Sequence, residues 1–214
     1  MYHQRLSLLT FLLCFISTAA GAATDSYRID SAASDIHWRV YRAGVLSGLG
    51  HNHVISASGV SGSVQLETPP QESSFELNIP VAALVVDSPA LRSHYGEDFS
   101  AQPSAKAVAG TRANMLGDKL LKGDQFPQVQ LSGSAVVSSG QQVNIPVTIR
   151  ILGRSIAVRL PATVEFDGRQ LRARGQFALS HRQLELQPFR AALGALRVAE
   201  NIDFSYDIRA NRTD

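Results

Sequence analysis

From Val143 to Leu179 apolar and polar residues alternate almost without a break. Val143, Ile145, Val147, Ile149 and Ile151 face one side of an extended chain and Gln142, Asn144, Thr148 and Arg150 the other, because strand side chains switch faces at every residue. The apolar row continues through Ile156, Val158 and Leu160 after the turn at Leu152-Gly153-Arg154, then through Val164 and Phe166. It resumes beyond the hairpin signal Asp167-Gly168 with Leu171, Ala173, Phe177 and Leu179. A β-meander with one apolar face must cover that face, either with a second sheet or by closing into a barrel.

Strand patterns recur outside the meander. Tyr27-Arg28-Ile29 and Ile36 to Tyr41 read as an opening strand broken near Ser31 to Ser34, with Ile36, Trp38 and Val40 inward and His37 and Arg39 outward. Val64 and Leu66, closed by Pro69-Pro70, form another strand. Phe75, Leu77, Ile79 and Val81 alternate cleanly, Val129 and Leu131 resume after Pro127, and Ile202, Phe204, Tyr206 and Ile208 end the series. About eight strands result, the number at which a closed barrel either fills with its own side chains or holds one small ligand. Ser104 to Leu116 instead reads as one short helix, with Ser104 as N-cap and Gly117 at its end, placed to cover an open barrel end. Asp87 to Phe99 reads as a long connection. The fold class is therefore all-β and mainly antiparallel, with one short α-helix.

The chain starts with an export signal: Arg5, an apolar stretch from Leu6 to Ile16, and Ala20-Gly21-Ala22 as a small-residue cleavage site. Residues 1–22 are expected to be removed, leaving 23–214 as a single exported domain. Cys14, the one cysteine, lies in that leader, so a mature chain has no thiol chemistry, disulfide or thiolate metal site. The charge is nearly balanced, 20 Lys and Arg against 18 Asp and Glu, which implies no nucleic-acid footprint. Arg150, Arg159, Arg172 and Arg174 share the polar parity of the meander. They read as a solvated outer face, or as a weak contact with an anionic membrane surface.

Signatures of common hydrolases, zinc proteases and phosphate loops are absent, and no catalytic residue is assigned. The chemically suggestive cluster is Gly48-Leu49-Gly50-His51-Asn52-His53. In an extended chain His51 and His53 share a face with Leu49 and Ile55. Three readings stand: a metal held by His51, His53 and His181; a hydrogen-bonding site for the polar head of a ligand whose tail fills a cavity; or a purely structural cluster.

The order of features resembles the YceI-like family of exported bacterial proteins. The resemblance is carried by Tyr27-Arg28-Ile29-Asp30 followed by Ser34-Asp35-Ile36-His37-Trp38, Gly62-Ser63-Val64, the passage ending in Met115-Leu116 before Phe126-Pro127, and Leu152-Gly153-Arg154. Gln187-Pro188-Phe189 through Leu196-Arg197-Val198 into Ile202 to Ile208 extends it to the end of the chain. The His51–His53 cluster and the long segment Asp87 to Ser104 are not part of it. The resemblance implies a lipocalin-like up-and-down barrel with a helix, a periplasmic location, and an elongated interior for an isoprenoid lipid or quinone, with no cofactor and no enzymatic activity. Parity and bulk select Trp38, Val40, Phe75, Leu77, Ile79, Ile149, Val158, Phe166, Phe177 and Phe204 as the interior residues that contact such a ligand. The competing functions are a metal-binding periplasmic protein using the histidines, and a filled barrel that binds partners through its outer surface.

Overall fold

The computed structural model describes residues 23–68 and 72–213. The expected leader with Cys14, and the Pro69-Pro70 strand stop, lie outside the described residues. The strands are β1 (Ala23–Ile29), β2 (Asp35–Ala43), β3 (His53–Ala57), β4 (Ser61–Thr68), β5 (Glu72–Pro80), β6 (Leu84–Val86) and β7 (Gln128–Val136). They continue as β8 (Gln142–Ile151), β9 (Arg154–Phe166), β10 (Gln170–Ser180), β11 (Arg190–Ala191) and β12 (Leu196–Arg212). Helices α1 (Pro89–Arg92) and α2 (Ala105–Leu116) lie between β6 and β7.

Eight of these strands close a ring in the order β1-β4-β5-β7-β8-β9-β10-β12, with β1 pairing β4 on one edge and β12 on the other. The fold is thus an antiparallel, mainly up-and-down barrel, as expected from the alternation. Closure depends on the 17-residue β12. Its end pairs β1 through Ala210–Arg212, whereas Arg197 to Asp207 pair β2 across a bulge. Asp30 organises the turn between β1 and β2, its Oδ1 accepting from the N–H groups of Ala32 and Ala33 at 3.1 Å. β2 then carries β3 and β6 as a sheet extension beyond the ring.

The apolar positions 156–160 and 164–166 lie on one continuous β9 that runs through Pro161. Proline lacks an N–H, and β9 is hydrogen-bonded to β10 only past this point, at Thr163 to Phe166. The chain is stitched there by Tyr206, whose hydroxyl donates to the Pro161 carbonyl at 2.7 Å. Burial pushes that hydroxyl up to about 12, so it stays a donor through the neutral range. The crossing is possible because residue 175 has no side chain: a Cβ there would lie 2.3 Å from the Pro161 oxygen. Before Pro161 the two strands separate. Leu184 and Leu186, from the turn after β10, are buried beside the cavity, and Arg154 at the start of β9 reaches the Glu185 carboxylate at 3.3 Å.

Helix α2 begins as the sequence suggests, with Ser104 Oγ accepting from the Ala107 N–H at 3.2 Å. Ala107, Thr111, Asn114 and Met115, spaced for one helical face, line the barrel opening. Gly175→Ala should lower unfolding free energy by about 1–3 kcal/mol through overpacking. Gly110→Ala, inside α2 with open space around it, should raise it by about 0.5–1 kcal/mol. Urea titrations of the two variants should move their midpoints in opposite directions.

Candidate ligand cavity and its polar end

The inward rows of the barrel do not meet at the centre. They enclose a cavity of about 760 Å³ whose wall is built from Val, Ile, Leu and aromatic side chains. On one wall Phe177 stacks on Phe204 at 5.1 Å between ring centroids, and Trp38 lies 6.0 Å from Phe204. These contacts follow from register, since Phe204 is the direct cross-strand partner of both Trp38 and Phe177.

Trp38, Val40, Phe75, Leu77, Ile79, Ile149, Phe177 and Phe204 all lie on the cavity wall. Val158 and Phe166 do not. Val158, opposite Val147, belongs to a shallow depression with Phe75 and Gly133, in the part of β9 that has left β10. Phe166 is the last residue of β9, where its N–H is held by Ser139 Oγ at 3.0 Å, and it packs against the core at the hairpin end. Both have inward parity, but parity alone carries no information on height along the barrel.

Polar groups concentrate at the end where α2 packs beside β6 and β3. Arg42, His51, His53, Thr111, Asn114, Lys119, Arg190 and Arg197 line the cavity there, and no carboxylate is among its lining residues. His53 is the most constrained of them. Its Nδ1 lies 2.6 Å from Asp87 Oδ2, and its Nε2 lies 3.4 Å from Thr111 Oγ1. An ionised carboxylate can only accept, so Nδ1 carries the proton, and in the neutral ring Nε2 presents a lone pair at the cavity.

Asp87 itself is wholly buried. Its Oδ1 accepts from Arg92 Nη1 at 2.6 Å and from the Val54 N–H at 3.0 Å. Burial pushes the Asp87 carboxyl up, but hydrogen bonds from His53 and Val54, the His53 charge and the Arg92 hydrogen bond outweigh it and hold the group below its usual value. Arg92, 1 % exposed, also donates to the carbonyls of Asn52 and Ala101. The segment read as a plain connection is therefore a folded strap. It contains α1 and a short turn at 97–99, and its arginine fixes the backbone beside His53.

The other histidines occupy different settings. His51 is exposed at the opening, 6.3 Å from the His53 ring, and does not share a strand face with Leu49 because residues 47–49 form a 3₁₀ turn that leaves Leu49 in solvent. His181 borders the cavity, buried, with Nδ1 3.0 Å from the Glu200 carbonyl. Among the described residues no group of three or more His, Cys, Asp and Glu side chains is placed to hold a metal ion. His37 faces outward as expected but is buried, because Tyr95 from the strap hydrogen-bonds its Nε2 while Asp35 holds Nδ1 at 2.6 Å. Asp87, Arg92, Thr111 and Asn114 were not singled out from the sequence. An Asp and an Arg five residues apart around a proline in an otherwise apolar-flanked connection are the signal that could have found the strap.

The family model for the YceI-like domain matches residues 27–210. The chain belongs to the YceI-like family. No curated protein matches it. Among solved structures, a polyisoprenoid-binding domain from Saccharophagus degradans implicated in plant cell wall breakdown superposes with a TM-score of 0.59 at 10% identity, over 87% of this chain and 98% of that one. BcnA of Burkholderia cenocepacia gives 0.60 at 15% identity, over 86% of this chain and 99% of that one. At these identities the likeness establishes the shared barrel.

Because the folded Asp87 carboxyl lies below its ordinary 3.8, its stabilisation is complete above that value and is lost as pH falls through the folded one. Unfolding free energy measured between pH 7 and pH 3 should therefore fall below about pH 4. Asp87→Asn, which leaves Arg92 buried without its counter-charge, should cost about 3–5 kcal/mol at pH 7 and flatten this acid limb.

Proposed function

We propose that the barrel carries or sequesters a long apolar isoprenoid ligand, a polyprenyl lipid or quinone, in the periplasm and performs no chemistry on it. The observation that carries this reading is the cavity: about 760 Å³ of apolar-walled space with its charged groups confined to one end. That volume falls among ligand cavities rather than packing defects. Burial of an isoprenoid chain would gain roughly 25 cal/mol per Å² of apolar surface removed from water. Family membership, and the polyisoprenoid-binding description of the Saccharophagus degradans neighbour, support the ligand class. The leader-like first residues support export.

In this reading the chain of the ligand lies along Phe177, Phe204 and Trp38, and its polar head meets His53, Thr111 and Asn114 at the opening. Asp87 orients the imidazole so that Nε2 accepts from a hydroxyl head or, once protonated, donates to a carbonyl or phosphate oxygen. Arg92 balances the Asp87 charge, so the pair serves positioning rather than proton abstraction.

Trp38 is the single tryptophan of the chain and lies on the cavity wall, which makes its emission a reporter of occupancy. Titrating lipid-free protein with a quinone bearing several isoprene units should quench Trp38 saturably at one equivalent. The double variant Val147→Phe/Ala173→Phe, which narrows the cavity, should weaken binding at least tenfold. Titration without saturable quenching, or with equal affinity in the narrowed variant, contradicts the proposal.

A further inference from the structure

We propose that the tip formed by residues 44–50 and 189–198 docks on an anionic phospholipid bilayer and sets the cavity opening against the membrane. The two segments adjoin. Leu46 N–H donates to the Ala195 carbonyl at 2.9 Å, and a Cβ on Gly50 would touch Leu196 Cδ1 at 3.1 Å. Arg197 is paired with Ala43 across β12 and β2, and Arg190 with Arg197 across β11 and β12. Both segments contribute to the opening, through Gly50, Phe189, Arg190 and Arg197.

Five of the seven large apolar side chains that stand exposed among the described residues are in this tip: Val45, Leu46, Leu49, Phe189 and Leu193. Val45 is 90% and Leu49 76% exposed, and Leu193 is fully exposed. Leu193 also adopts φ 53°, a left-handed conformation uncommon for leucine, between Ala192 at 48° and Gly194 at 90°. A leucine held outward at such a backbone position has no packing reason within this chain. Exposed apolar clusters of this kind mark an interaction surface.

Charge identifies the partner. Arg42, Arg190 and Arg197 surround the apolar tip, are exposed, and form no ion pair among the described residues, and neither segment contains Asp or Glu. Apolar side chains at the centre of a basic ring match the boundary between acyl chains and anionic headgroups, where each arginine strengthens binding about fivefold. The outer face of the meander is less suited to this role, because Arg172 is paired with Asp207 and Arg174 with Glu165, each at 2.8 Å. A lipid cavity opening through a membrane-seated tip would let its ligand pass between bilayer and barrel without crossing water.

Docking is independent of which ligand the cavity takes: a protein that binds vesicles but shows no saturable Trp38 quenching by the quinone leaves this inference standing and removes the carrier reading. The test is co-sedimentation of the protein, in the form its own cell produces, with phosphatidylcholine vesicles with and without 30% phosphatidylglycerol, a composition of roughly physiological anionic charge. Binding should require phosphatidylglycerol and weaken with salt. It should fall at least tenfold in Val45→Ser/Leu193→Asn, where asparagine tolerates the left-handed conformation, and likewise in Arg190→Gln/Arg197→Gln. Arg150→Gln/Arg159→Gln, on the outer face of the meander, should bind as the unmodified protein does, and circular dichroism should show every variant folded. Absence of vesicle binding, binding indifferent to the tip variants, or binding lost with Arg150 and Arg159 overturns the inference.

Discussion

Eight strands enclose more space than the side chains on their inner faces fill, and the rest of the molecule is arranged around that mismatch. The apolar walls of the cavity make water a poor occupant of that space. The barrel tolerates the opening because its hydrogen-bonded circuit is complete: β12 supplies pairing to β10 on one edge and to both β2 and β1 on the other.

The polar end is organised by burial. A carboxylate as deeply buried as Asp87 needs several donors, and it takes them from Arg92, the Val54 N–H and His53. Arg92 belongs to the strap with Asp87, whereas Val54 and His53 belong to β3, so the network locks the strap to β3 and points one imidazole into the cavity. The outer side of the same strap covers β2, where Tyr95 meets His37 and lies under the Arg39 guanidinium at 4.6 Å. One segment thus shapes the cavity end and seals the sheet behind it.

The barrel was legible in the sequence because period-two alternation is a local signal that survives any register. It placed Trp38, Phe177 and Phe204 on the inner face, where their side chains form one wall of the cavity. Position along the barrel was not legible. Val158 has the right parity but lies where β9 diverges from β10, a consequence of the Pro161, Gly175 and Tyr206 crossing between strands distant in sequence, and Phe166 has it but ends β9 at the hairpin. The cavity end was half visible: His51 and His53 announced themselves by type and spacing. Asp87 and Arg92 did not, since a buried ion pair between a loop carboxylate and a helical arginine has no periodicity. The exposed Leu49 differed from expectation because a 3₁₀ turn replaced an extended strand and reversed its side.

The central claim is that a long apolar molecule occupies the barrel, and native mass spectrometry of the protein taken directly from its own cell tests it most directly. The account predicts a mass above that of the polypeptide by one molecule, released by organic solvent as an isoprenoid lipid or quinone. A bare polypeptide mass, unchanged after incubation with polyprenyl lipids and quinones, would contradict it.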